Sequence, residues 1–195
     1  RKNVADQAYF QEAKKGTFYI TEPIVNSNQK SANIIVSAPV MSAGKVSAVI
    51  YFSVSSNYLN DTVKEIKVET AGNAYIVDKN GYTIAHTDAG KVLKRENVNE
   101  MAKKNAGLAK LASITTKMSR GQTGFDEYSY NGESKFLTYA PVQDSNGWCV
   151  GIAVSKNEFL QSTYLSILFI AIATLLATLI AVFVAVRLSN SITRP

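Results

Sequence analysis

The chain has 195 residues, 46% of them hydrophobic and 18% charged, with a formal net charge of +6. That average joins two unlike parts: Arg1 to Glu158 carry all 15 acidic and 19 of the 21 basic residues, a net +4, while Phe159 to Val186 carry no charge. So small a charge over that length is a solubility feature rather than a nucleic-acid signature, and the lone Cys149 excludes an internal disulfide and a Cys-based metal site.

Turn signals divide the charged part: SNQK at 27–30, SAGK at 42–45, KNGY at 79–82, YNGE at 130–133 and SNGW at 145–148. Three contain Asn-Gly, the strongest short hairpin signal, because type I′ turns need positive φ at both central residues. Period-2 alternation fills the runs between them. Ile34, Val36, Ala38 and Val40 share one face, as do Val46, Ala48, Ile50, Phe52 and Val54. Trp148, Val150, Ile152 and Val154 form a third such face, so these segments read as half-buried antiparallel strands.

Two helices interrupt the strands. Residues 56–66 place Tyr58, Leu59, Val63 and Ile66 on one face. Residues 106–118 place Leu108, Leu111, Ala112, Thr115 and Met118 together, with Gly121 as a stop. The basic stretch Lys91 to Arg120, eight Lys/Arg against Glu96 and Glu100, reads as solvated helix faces. The order is three strands, a helix, two strands, a helix and three strands, which is an α+β arrangement of antiparallel sheets. The helix at 56–66 divides residues 1–66 from a second unit at 67–155. The second unit looks complete, and the first is expected to have its opening elements upstream of Arg1.

Leu165 to Val186 contains 22 residues, of which only Ser166, Thr174 and Thr178 are polar. At 1.5 Å per residue that is about 33 Å of helix, enough to span a hydrocarbon core of about 30 Å, so lipid is an expected partner. Arg187 and Arg194 follow it without an acidic neighbour, while Lys156 on the other side is offset by Glu158. That bias predicts a cytoplasmic C-terminus, with residues 1–155 outside the cell membrane. Ser155 and Glu158 have capping-box spacing, so the helix is expected to begin at Lys156. Running to about Ile192, it would be about 55 Å long. Beyond it, Leu188 and Ile192 give residues 187–195 one apolar stripe.

A catalytic reading of these residues finds little. There is one His, no His/Cys/carboxylate cluster at metal-ligand spacing, no Gly-rich phosphate loop and no G-x-S-x-G elbow. His86, at the end of the strand YTIAH, has no partner at ligand or triad spacing and reads as structural or surface. Asp78 and Asp88 read as turn residues. No metal and no cofactor is implied, and any catalytic output would lie beyond residue 195.

The segments DQAYFQEAKKGTFYITEPI and IIVSAPVMSAGKVSAVIYFSVSSNYL resemble the C-terminal part of a membrane-distal double-Cache module. GNAYIVDKNGYTIAHTD and GQTGFDEYSYNGESKFLTYAPVQDSNGWCVGIAVS resemble the membrane-proximal module, and RLSNSITRP resembles the opening of a HAMP linker. The resemblance covers nearly the whole chain. It implies tandem PAS-like sheets in a bacterial transmembrane receptor, most often a methyl-accepting chemotaxis protein. Less often such receptors are sensor histidine kinases or diguanylate cyclases. It further implies a homodimer, an extracellular small-molecule ligand or solute-binding protein, and cytoplasmic signalling partners. A simple membrane-anchored scaffold is disfavoured by the HAMP-like start.

In the resembled family, ligand contacts come from a loop-helix with a D-R-x-Y-F type motif and the strands after it. The matching residues here are Asp6, Gln7, Tyr9 and Phe10, with Glu22, Ser37, Tyr51 and Ser53 on the strands. Tyr9 and Phe10 could equally be core packing. Amino-acid-binding members use an Arg for the carboxylate and a Tyr and an Asp for the amino group. Gln7, Ile24 and Ser53 stand at those positions. An α-amino acid would therefore lose two charge-assisted contacts, worth about 1.5–3 kcal/mol each. Amino-acid binding is therefore not expected, and a neutral or differently charged ligand, or a solute-binding protein as partner, stays open.

Overall fold

The structure is a computed structural model and describes residues 3–26, 28, 30–66 and 72–193. After α1 (Ala8–Lys14) come two short strands, β1 (Tyr19–Ile20) and β2 (Ile24–Val25), then the long hairpin of β3 (Ala32–Ser42) and β4 (Lys45–Ser55). β1 and β2 both pair with β3 along one edge, and β4 pairs with its other edge, all antiparallel. Ala43 and Gly44 both take positive φ (48° and 75°), the type I′ geometry that joins strands of natural twist. Residues Ser27 and Gln29 of the SNQK signal lie outside the described residues.

Helix α2 (Asn57–Glu65) leads to a second sheet. Its strands are β5 (Asn73–Val77), β6 (Thr83–His86), β7 (Gly124–Tyr130), β8 (Glu133–Pro141) and β9 (Cys149–Ser155), in the order β6-β5-β9-β8-β7. Between β6 and β7 run α3 (Ala89–Leu93), α4 (Val98–Ala102), a 3₁₀ turn at Ala106–Leu108 and α5 (Ala109–Ser119). Of the three Asn-Gly signals only YNGE builds a type I′ turn, with Asn131 at φ 52° and Gly132 at 79°. At KNGY only Gly81 turns positive, because the Asp78 carboxylate accepts the N–H groups of Asn80 and Tyr82 at 2.8 Å and holds a different turn. At SNGW the positive residues are Asp144 and Gly147, and the Ser145 hydroxyl closes the loop by accepting from Trp148 N.

The second sheet is covered on both faces. On one side Leu111, Ile114 and Met118 of α5 pack against Val77, Tyr128, Leu137, Cys149 and Ala153. On the other, Val63 of α2 and Ile34 of β3 pack against Ala74, Ile76, Ile84, Ala85 and Trp148. β9 is therefore not a one-sided strand: Cys149, Gly151, Ala153 and Ser155 are buried, and Val150, Ile152 and Val154 on the expected face are half-buried. Gly151 is what lets α5 approach, since a Cβ there would lie 2.9 Å from Met118 Cε and 3.1 Å from Leu137 Cδ1.

Four expected faces need correction. In β3, Ile34 is buried, but Val40 is 41% exposed and a bulge follows it. In β4, Ile50, Phe52 and Val54 are exposed, because among the described residues neither core cluster includes a β4 side chain. In α2, Tyr58 is 68% exposed, while Asn60 is buried and accepts from His86 N at 3.1 Å. In α5, Ile114 rather than Ala112 joins the buried face. In the strands, what covers each face is decided by distant segments; in the two helices the buried stripe is rotated from the expected one.

Residues up to Ser155 form one compact unit and Lys156 onward a second. That second unit is a single helix, α6 (Lys156–Thr193), whose first residue is where the capping-box spacing places it. The Ser155 hydroxyl hydrogen-bonds Glu133. An 18-residue window of α6 has mean hydropathy 2.9 and none of it is buried, so by length and composition the helix is able to cross a membrane. Thr174 and Thr178 donate to the carbonyls of Ile170 and Thr174, at 2.6 and 2.8 Å, which satisfies their hydroxyls within the helix as an apolar solvent requires. Arg194 and Pro195 lie outside the described residues.

Candidate functional site

Gln7, in extended conformation, precedes α1, and the helix delivers Tyr9 onto the β3–β4 hairpin. Ser37 and Tyr51 are directly opposed in that hairpin. The Tyr9 and Tyr51 rings lie 5.3 Å apart at 49°, and Ser37 Oγ donates to the Tyr9 carbonyl at 2.7 Å. The fold thus gathers Tyr9, Ser37 and Tyr51. Tyr9 and Ser37 are buried, Phe10 is half-buried, and Tyr51 is 44% exposed. Burial, then the Tyr51 phenol, push the Tyr9 hydroxyl above its ordinary pKa, so it is a neutral phenol at physiological pH.

The remaining expected residues are placed differently. Asp6 and Gln7 are exposed, and so is Ser53, which extends the Tyr51 face of β4. Glu22 is half-buried and accepts from Asn146 Nδ2 at 3.3 Å, a contact with the 145–148 loop rather than with the Tyr9 cluster. The same Asn146 amide donates to Tyr19 Oη at 3.2 Å, so this one side chain ties β1 and Glu22 to the second sheet.

A concavity lies between the five-stranded sheet and the α3–α5 layer, a cavity of about 250 Å³. Its depth is apolar, with Val77, Leu108, Leu111 and Tyr128 buried, and its polar groups include His86, Lys91, Glu96 and Lys135. His86 Nδ1 accepts from Asp88 N at 2.8 Å, which puts the proton of the neutral ring on Nε2. Burial, then the nearby Lys91, lower its pKa from 6.5 to about 4. His86 is therefore neutral at physiological pH. Sequence reasoning missed this cavity because its lining comes from nine separate elements, with no local motif.

Elsewhere the polar side chains serve the fold. Asp126 accepts from Lys117 at 2.8 Å and Tyr139 Oη at 3.0 Å, and the Lys117 contact first holds its carboxyl below the usual range. Cys149 is buried, and burial raises its thiol to about 11, as expected of an inert structural cysteine. Among the described residues no three His, Cys, Asp or Glu side chains converge as a metal site would require.

The family model described as Cache domain, dCache_1, matches residues 1–163. The chain belongs to the Cache domain family. The antiparallel PAS-like sheet of that family is the one described above, followed here by the candidate membrane helix. Among curated relatives, the methyl-accepting chemotaxis protein PctB of Pseudomonas aeruginosa is 23% identical over 181 residues, covering 92% of this chain and 26% of its own length. Methyl-accepting chemotaxis protein McpB of Bacillus subtilis is 25% identical over 192 residues, with 96% and 26% covered. The chain thus spans about a quarter of the length of these relatives.

Solved structures show the same fold. The ligand-binding domain of the Pseudomonas fluorescens chemoreceptor CtaA, in complex with L-isoleucine, superposes with a TM-score of 0.61 at 19% identity, covering 83% of this chain and 62% of that one. That of the Pseudomonas aeruginosa chemoreceptor PctC, in complex with GABA, gives 0.56 at 23% identity, with 78% and 63% covered. The extracellular domain named as that of the histidine kinase mmHK1S-Z3 gives 0.64 at 18% identity, with 84% and 59% covered.

Proposed function

We propose that residues 1–155 are the extracytoplasmic, ligand-sensing region of a transmembrane receptor of the chemoreceptor type. The observation that carries this is a Cache-family match over residues 1–163 that runs directly into a helix apolar enough to cross a membrane. No residue separates the last strand, ending at Ser155, from α6, beginning at Lys156. A ligand that binds two conformations of the sensing region unequally would bias the helix between two positions. The 187–195 segment, read as a HAMP start, would carry that bias to a cytoplasmic signalling domain. Arg187 and Arg194 orient the C-terminus to the cytoplasm. The receptor works as a homodimer, and its partners are a small molecule or solute-binding protein outside and signalling proteins inside. None of the 1–195 residues is catalytic in this reading.

Within the sensing region, residues 1–66 are the membrane-distal module and 67–155 the membrane-proximal one. Tyr9, Ser37 and Tyr51, with Phe10 beside them, form the wall of the distal site, and Asp6, Gln7 and Ser53 its rim. Glu22, bound to Asn146 instead, is not part of that wall. The relatives' structures hold amino acids and GABA, but Gln7, Ile24 and Ser53 offer neither a cation nor an anion for a zwitterion. A neutral or differently charged ligand suits them better. A second reading, the input region of a sensor histidine kinase, is favoured by the superposition on mmHK1S-Z3.

The test is a thermal-shift screen of the full chain in lipid nanodiscs against metabolite classes. At least one metabolite that is neither an α-amino acid nor a monocarboxylate should raise the melting temperature, and Tyr51→Ala should abolish that shift. Strong stabilisation by free α-amino acids would overturn the ligand class.

A further inference from the structure

The cavity between the five-stranded sheet and α3–α5 is separate from the Tyr9 cluster, and its chemistry is one-sided. Its floor is apolar and well packed: Leu108, Leu111 and Tyr128 are each 7% exposed. An unfilled space of about 250 Å³ against such a floor forfeits dispersion contacts, so an occupant with an apolar body is favoured there. The rings of Tyr75, Tyr128 and Tyr130 line it as well, and ring faces accept flat or branched carbon skeletons.

The polar lining is rich in donors. Lys91 and Lys135 outnumber Glu96 at the rim. Lys91 stands 4.0 Å from Glu96, longer than a charge-assisted hydrogen bond of about 2.7–2.9 Å, and 5.5 Å from the Tyr130 centroid. Its ammonium therefore keeps donors for another acceptor. Lys135 pairs with Glu133 at 2.9 Å and has two further protons to give. Among the described residues Tyr75 Oη meets the weak acceptor Met118 Sδ at 3.7 Å, and the His86 ring carries its proton on Nε2. Donors without strong acceptors call for an acceptor-rich group on the occupant. Glu96 opposes a second negative charge, and the volume suits about ten non-hydrogen atoms.

We propose that this cavity is a second ligand site, in the sheet nearer the membrane helix in sequence, that takes a small monocarboxylate with an aromatic or branched aliphatic body. The carboxylate meets Lys91 and Lys135, and the carbon skeleton lies on Leu108, Leu111 and the tyrosine rings. This site is independent of the ligand assigned to Tyr9, Ser37 and Tyr51, so either assignment can fail without the other.

Isothermal titration of the full chain in nanodiscs tests it, with phenylacetate and 4-methylvalerate as probes and empty nanodiscs as the blank. At least one probe should bind saturably. Phenylacetamide, which keeps the shape and removes the charge, should bind at least tenfold more weakly than phenylacetate. Lys91→Met combined with Lys135→Met should weaken the acid at least tenfold, while Tyr51→Ala binds it as the parent does. Saturable binding of neither acid at millimolar concentration would overturn the proposal. So would equal binding of acid and amide, an unchanged affinity in the double variant, or loss of binding in Tyr51→Ala. The acid–amide comparison is made on the unaltered chain, so the outcome does not hang on the double variant folding.

Discussion

β4 and β9 read alike in sequence, each an alternating apolar strand, yet they end in opposite environments. β9 sits between β5 and β8 with α5 on one face and Trp148 on the other. β4 pairs only with β3, and Phe52 on it is 61% exposed. Alternation tells which side chains share a face; it does not tell whether anything lies over that face. Stability in this chain is therefore expected to be concentrated around β9 and thin along β4.

The largest effect should come from the packed side. Met118 and Leu137 are fully buried in the α5 core, so truncating either to alanine should cost about 2–5 kcal/mol in denaturant unfolding. Ile50→Ala on β4 should cost under about 1 kcal/mol, because its side chain is 47% exposed. Equal costs would break the comparison. Gly151→Ala comes next, at about 1–3 kcal/mol, since the new Cβ would press on Met118 and Leu137.

A smaller effect should appear with pH. The folded pKa of His86, about 4, lies below its ordinary 6.5, so protonation favours the unfolded chain. Stability should be full above about pH 6.5 and decline toward pH 4, by about 2 kcal/mol from this residue once solvent screening of the partly exposed ring is allowed for. His86→Gln should flatten that part of the profile, and an unchanged slope would show that the ring is not held neutral. The smallest effect is dynamic. In amide hydrogen exchange, the N–H groups on the outer edge of β4 should exchange well before those of β9, in the same preparation.

Much of the fold is legible in the sequence because it rests on local physics. The β3–β4 hairpin, the two and then three strands of the second sheet, the helices at 56–66 and 106–118 and the start of α6 at Lys156 follow from period, turn residues and cap spacing. The first of the three strands expected before 56–66 is instead two short ones, β1 and β2, and α1 precedes them. α3 and α4 were hidden because each is only five residues long, too short for a periodicity to show. Their caps are Asp88 and Asn97, and Asp88 reads from sequence as a turn residue. Two Asn-Gly signals failed as type I′ turns because Asp78 and Ser145 capture backbone N–H groups first. For the sites, sequence brings Tyr9, Ser37 and Tyr51 together correctly only through resemblance. His86 reads as structural, which fits its hydrogen bonds, but its place on a cavity wall depends on residues up to Ala153.

The most direct test of the transmembrane sensing reading is a chimera of residues 1–195 with the cytoplasmic part of a methyl-accepting chemotaxis protein. Receptor methylation or control of the partner kinase would be the readout, with a ligand that stabilises the sensing region as the stimulus. The account predicts a dose-dependent change in output that follows ligand occupancy and is lost or inverted when one residue is inserted near Ser189. A ligand that saturates the extracytoplasmic region, raises its melting temperature and leaves the output unchanged in a correctly inserted chimera would contradict it.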